Sequence, residues 1–145
     1  MIAHQKQGYN ECLLAAVAMA TGQSLKNIRA WACSTFHVRY WYDLQTLPGD
    51  GFWEAAVQLL DHFVAPGFGA QYRAELIGVP GNSPNLEGRG ILTIRNKANN
   101  TSHAVAFDAG MVHDGNCNQG MPFMEWWALL GAEWQILSIT HVLGA

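Results

Sequence analysis

The chain has 145 residues, half of them hydrophobic and 13% charged. That length favours a single domain with one sizeable core, and that composition excludes a disordered chain. A formal charge of −3, a pI near 6.0 and only 8 Lys and Arg, in no run, exclude a protein that grips nucleic acid mainly by charge.

The N-terminus, MIAHQKQGYNEC, has no basic stretch followed by an apolar one, so no secretion signal is expected. Residues Glu11 to Thr21 are rich in Ala, Leu and Met, and Gly22 supplies a stop, which predicts a helix. It is apolar nearly all round, so it should be buried on most sides. Its nine-residue apolar run, Cys12 to Ala20, is far too short to span a bilayer, and no membrane partner is expected. Asn10 is the expected N-cap, with Glu11 placed against the helix dipole. Ser24 opens a second helix, read through Ala32, with Leu25, Ile28 and Trp31 or Ala32 on one face. The aromatic stretch from Cys33 to Gly49 reads as a long loop with a short extended piece. Asp50 or Gly51 then starts a third helix, ending before Pro66, in which Phe52, Ala56, Leu59, Leu60 and Phe63 follow the 3.6-residue period.

Beyond Tyr72 the pattern becomes that of strands: Tyr72–Val79, Gly90–Arg95, His103–Phe107, Met111–Asp114 and Trp134–Val142. A helix from Pro122 to Leu130 interrupts them, with Pro in its first turn and Gly131 after its end. Helices followed by an antiparallel sheet make an α+β architecture in one domain, residues 1–145.

Three scattered cysteines, Cys12, Cys33 and Cys117, are too few for a disulfide framework and point to a reduced, cytoplasmic protein. No Cys-x-x-Cys pair exists, and His113 with Cys117 makes only half of a closed zinc site. No metal or cofactor is expected.

Cys12 opens a buried helix, where the N-terminal dipole favours thiolate over thiol, the reactive form of a cysteine nucleophile. His103 starts an apolar strand after the loop NKANNTS, where its ring can take the thiol proton and return it to a leaving amine. If Asp108-Ala109-Gly110 turns the chain, the following segment returns beside His103. One register puts Gly115 opposite His103 and turns Asp114 to the other face. A register one residue longer puts Asn116 opposite, with Asp114 a same-face diagonal neighbour. Asp114 is thus the expected partner of the imidazole, and Asn116 the reserve. Gln7 and Gln5, five and seven residues before Cys12, are candidates to donate, with the Cys12 amide, to a developing oxyanion.

The order Gln, Cys at a helix start, His at a strand start, then Asp resembles the papain-like cysteine peptidases. The stretch Q-x4-C-L-L-A-A-V-A-M-A-T-G followed by S-L-x-x-I-R is similar to the subgroup that trims double-glycine leaders from bacteriocin precursors, and His103 through Phe107 with Asp114 resembles its later block. The resemblance covers the N-terminal third and residues 90–116. It implies a papain-like fold, with the Cys-bearing helix packed on the sheet, and hydrolysis of a peptide, isopeptide or related amide bond in a peptide or protein substrate. Cys12 would be the nucleophile, His103 the base and then acid, Asp114 its orienter and Gln7 the oxyanion donor. The chain departs from that subgroup at Leu13, where Gly is usual, at Lys6, where the Gln is expected, and at Gly115, where Pro is frequent. Two other classes fit the same residues: a catalytically silent papain-like binding module, and an amide-transfer enzyme of transglutaminase or acyltransferase type. The cleft is expected between helices and sheet, with Trp41, Tyr42 and Trp53 as candidate lining. His113 and His141 are read as structural or exposed.

Overall fold

A computed structural model of the chain describes residues 2–8, 10–46, 51–63, 84 and 86–142. Among these residues four helices and five strands follow in the order α1 (Cys12–Thr21), α2 (Leu25–Phe36), α3 (Gly51–Phe63), β1 (Arg89–Asn96), β2 (Ser102–Asp108), β3 (Met111–His113), β4 (Met121–Pro122), α4 (Phe123–Leu130) and β5 (Trp134–His141), with a 3-10 turn at Trp41–Thr46. The architecture is α+β, helices first and then an antiparallel sheet in the order β4-β3-β2-β1-β5.

The strand period of two divides the sheet between two cores. Ala104 and Ala106 of β2 and Ile91 of β1 face the core that holds α1, α2 and α3. Val105 and Phe107 of β2, with Leu92, Ile94 and Val112, face the other core, closed by Trp126 of α4. Small residues decide the first interface. Alanines on β2 meet the alanine-rich α1, so helix and sheet approach closely, and every residue from Leu13 to Ala20 is buried. Helix α1 therefore needs no polar face: the sheet, α2 and α3 all pack on it. No helix among the described residues is long and apolar enough to cross a membrane.

Helix α1 ends as expected, on Gly22 in the left-handed region, and α2 starts as expected, with the Ser24 hydroxyl accepting from the Asn27 amide at 3.1 Å. Helix α2 runs one turn past Ala32, however. His37 ends it in a left-handed conformation with its N–H on the Cys33 carbonyl, and the extra turn carries Phe36 edge-on to Trp31, centroids 5.8 Å apart. The region expected to be a loop with an extended piece thus holds the end of α2 and a 3-10 turn, fixed by Asp43, whose carboxylate accepts the Tyr40 amide at 3.2 Å. Pro122 precedes α4 as its N-cap residue rather than lying in the first turn. The expected strand Tyr72–Val79 and the alternative α3 start at Asp50 lie outside the described residues.

Candidate active site

Cys12 is the first residue of α1. The chain enters the helix through a tight turn in which the Glu11 amide donates to the Gly8 carbonyl at 3.3 Å and the Glu11 carbonyl accepts the Ala15 amide at 2.9 Å. Asn10 is not the N-cap. Its backbone is left-handed (φ 50) and it lies one residue too early: Glu11 holds the N-cap position, with φ −107 and ψ 25 and no side-chain cap. The Glu11 carboxylate caps nothing, because Arg29 of α2 holds it with two hydrogen bonds, 2.6 and 2.7 Å. The N-cap side chain therefore leaves the first-turn N–H groups around Cys12 uncapped.

His103 is the second residue of β2, opposite Ile94 of β1. The β2–β3 hairpin closes through two residues, Ala109 (φ 50) and Gly110 (φ 82), a pair of positive φ values that makes a type I′ turn and suits glycine at the second position. Asp108 pairs with Met111 and Ala106 with His113, the longer of the two expected registers. Strand β3 stops at His113 rather than Asp114, since the Asp114 carbonyl turns to accept the Cys117 amide at 2.9 Å. The Asp114 side chain is left diagonal to His103, and its Oδ1 accepts the His103 Nε2–H at 2.8 Å. Asn116 serves through its backbone: its amide donates to the same Oδ1 at 2.9 Å, while its side chain is exposed. The indole N–H of Trp126 donates to Oδ2 at 3.0 Å. Three donors thus hold a carboxylate that is only 7% exposed.

Asp114 engages Nε2 and leaves Nδ1 open, and Cys12 lies near enough to the ring to be one of the groups that raise the His103 pKa. Burial by itself lowers the His103 pKa. The hydrogen bonds to Asp114 and Cys12, with the charges of both, outweigh it and raise the pKa to about 10. Burial also pushes the Asp114 carboxyl up, but the bond and charge of His103, then Trp126 and the Asn116 amide, hold it below its ordinary value. The imidazole therefore carries a proton, and an ionised carboxylate fixes it. Burial pushes the Cys33 and Cys117 thiols up.

A stability test follows from the sign of the His103 shift. A folded-state pKa raised to about 10 from 6.5 adds stability that is complete below 6.5 and disappears as pH rises through about 10. Chemical denaturation of the native chain and of His103→Ala should give a stability difference largest near pH 6 and much smaller by pH 10.5. An unchanged difference would separate His103 from the charge network.

Gln5 leaves the list of oxyanion donors. Its Oε1 accepts the Leu25 amide at 3.0 Å and its Nε2 donates to the Gln23 carbonyl at 2.9 Å, so it ties the α1–α2 connection instead. Gln7 stays with the site: its backbone N–H donates to the Gly115 carbonyl, beside Asp114, at 3.0 Å, and its buried side-chain Oε1 has no hydrogen-bond partner among the described residues. Neighbouring contacts bind the same two segments. His4 Nδ1 lies 3.3 Å from His113 Nδ1, His4 Nε2 reaches the Cys117 carbonyl at 2.8 Å, and Lys6 Nζ reaches the Asn118 side chain at 2.9 Å. His113 is thus half-buried and paired, and His141 is exposed, edge-on to Phe107. Among the described residues no three His, Cys, Asp or Glu side chains converge on a metal position.

The aromatic residues expected in a cleft separate. Trp41 is 1% exposed and belongs to the helical core, which removes it from that role. Tyr42 stacks on Tyr40 with centroids 5.0 Å apart, and Trp53 is 43% exposed. Trp126, Glu11 and Arg29 were not expected in the site. A buried tryptophan usually finds an acceptor for its indole N–H, but the sequence says neither that Trp126 is the buried residue of α4 nor which acceptor it meets.

No protein-family model, curated protein or solved structure matches this chain.

Proposed function

We propose that this chain is a cysteine hydrolase of papain-like fold, acting on a peptide, isopeptide or related amide bond through Cys12, His103 and Asp114. One observation carries the reading: an imidazole whose Nε2 is held at 2.8 Å by a buried carboxylate lies beside a cysteine at a helix N-terminus, close enough for that cysteine to raise its pKa.

In the proposed reaction the Cys12 sulfur attacks the amide carbon while its proton resides on His103. An S–C bond forms and the carbonyl π pair moves onto oxygen. The Cys12 amide and the Gln7 side chain stabilise that oxygen, which requires the Gln7 amide to present Nε2, by rotation about its last bond, where the unpartnered Oε1 is buried. His103 gives its proton to the nitrogen as the C–N bond breaks, leaving a thioester and a free amine. Water then gives a proton to His103, attacks the thioester and releases the acid and the thiol. Asp114 keeps the ring oriented and its charge balanced throughout.

Leu13, next to the nucleophile, is buried in the helical core and so does not speak for the silent binding module. Three free thiols accord with a reducing, cytoplasmic location. The deciding experiment is alkylation by iodoacetamide, followed residue by residue by mass spectrometry. At pH 6, where an ordinary thiol is almost wholly protonated, Cys12 should react roughly 10-fold or more faster than Cys33 and Cys117. Equal slow labelling of all three would remove the nucleophile. Adding a primary amine to a turnover assay separates hydrolysis from transfer, since a transferase converts the thioester to a new amide.

A further inference from the structure

Glu11 directly precedes Cys12, and its side chain is 9% exposed although the carboxylate neither caps α1 nor touches the triad. Two contacts explain its burial. Arg29, 42% exposed at its side chain, forks onto both carboxylate oxygens at 2.6 and 2.7 Å. On the other side the backbone of Gly8 lies so close that a Cβ there would fall on Glu11 Oε1. The carboxylate fills the space a side chain at position 8 would need, inside the turn closed by the Glu11 amide on the Gly8 carbonyl. Gln7 is joined to Gly8 at one end of this turn, and Cys12 to Glu11 at the other.

We propose that Glu11, clamped by Arg29, is a positioning residue: it fixes the turn between Gln7 and Cys12 and thereby sets the Gln7 amide against the nucleophilic sulfur. The inference rests on the reading of Cys12 as nucleophile and Gln7 as oxyanion donor. Stability alone is a poor reason for this pair, since an ion pair with one partner still in solvent adds little. A bidentate fork supplies direction, and a donor to a developing oxyanion needs placement within a fraction of an ångström.

The test pairs two reagents that use the sulfur differently. N-acetyl-glycyl-glycinal adds to Cys12: an S–C bond forms, the C=O π bond opens, the oxygen takes the thiol proton and nothing leaves. That oxygen occupies the oxyanion position, whereas iodoacetamide alkylation develops no oxyanion. Gly8→Ala and Glu11→Ala should each weaken the aldehyde roughly 10- to 100-fold, as Gln7→Ala does, with the alkylation rate of Cys12 held within about threefold. Glu11→Gln, which keeps the shape and one acceptor for Arg29, should restore part of the loss. Combining Glu11→Ala with Gln7→Ala should add little, because both remove one donor. Alkylation at the native rate also shows that a variant is folded around Cys12, and Glu11→Gln serves if Gly8→Ala or Glu11→Ala does not fold. Unchanged aldehyde affinity in the Glu11 variants beside a loss in Gln7→Ala, or losses that add in full, would overturn the proposal. Failure of the native chain to bind the aldehyde, or equal binding by Cys12→Ala, takes down the functional reading itself and the inference with it.

Discussion

Cys12→Ala is expected to lower amide hydrolysis by a factor on the order of 10⁴–10⁶ while leaving a folded protein. Removing the nucleophile of a triad costs about as much as removing all its members, because the remaining groups then have no covalent step to assist. The structural cost is small, about 1 kcal/mol, since one sulfur atom is lost at a half-buried position on the edge of the helical core. A second signature distinguishes this loss from unfolding. Cys12 is one of the groups that raise the His103 pKa, so an NMR titration of the His103 ring should move toward its ordinary value in the variant. Cys33→Ala and Cys117→Ala should keep their activity within about twofold, since burial pushes those thiols up and Cys117 bonds Asp114 only through its backbone N–H, which alanine retains. Activity that survives in Cys12→Ala and vanishes in either of the others would reassign the nucleophile.

What the sequence revealed, and what it hid, follows from the range of the interactions. Helix α1 was legible because its stop at Gly22 and its apolar composition are local, and strand β2 because its small and large residues alternate between two cores. The hairpin was legible only up to two registers. The choice between them rests on positive φ at both Ala109 and Gly110, which glycine makes easy to expect at one position but not at the other. The end of α2 was missed because it depends on His37 in a left-handed conformation and on Phe36 meeting Trp31, a tertiary contact overriding a weak local pattern. In the candidate site, the pairing of His103 with Asp114 could be read in advance from the longer register. That Gln5 is engaged elsewhere could not, because it turns on the Leu25 amide and the Gln23 carbonyl. Trp126 and the Glu11–Arg29 pair were beyond reach for the same reason: their partners are distant in sequence, and no spacing rule encodes them.

Asp114→Asn should lower activity roughly 10²- to 10⁴-fold and also destabilise the fold, and the two losses have separable causes. Asp114 accepts from the His103 ring and the Asn116 amide on Oδ1 and from the Trp126 indole on Oδ2, so every partner is a donor. An asparagine has one acceptor and one donor group, and neither orientation suits the site. With its oxygen toward His103 and Asn116, its NH2 faces the Trp126 N–H, and two donors meet without water. With the amide turned over, its oxygen satisfies Trp126, but its NH2 confronts the Asn116 amide and asks His103 Nε2 to accept. The ring proton then sits on Nδ1, facing the sulfur, and His103 can no longer take the thiol proton. Either way a buried donor is left unsatisfied, at about 1–3 kcal/mol. Trp126→Phe removes the conflict of the first orientation. Asp114→Asn/Trp126→Phe should therefore recover part of the stability lost in Asp114→Asn, measured by thermal denaturation, while kcat/KM stays low because the carboxylate charge that raises His103 is still missing. Full activity in Asp114→Asn would mean that the ring needs only a hydrogen bond there, and the electrostatic half of the mechanism would have to be withdrawn.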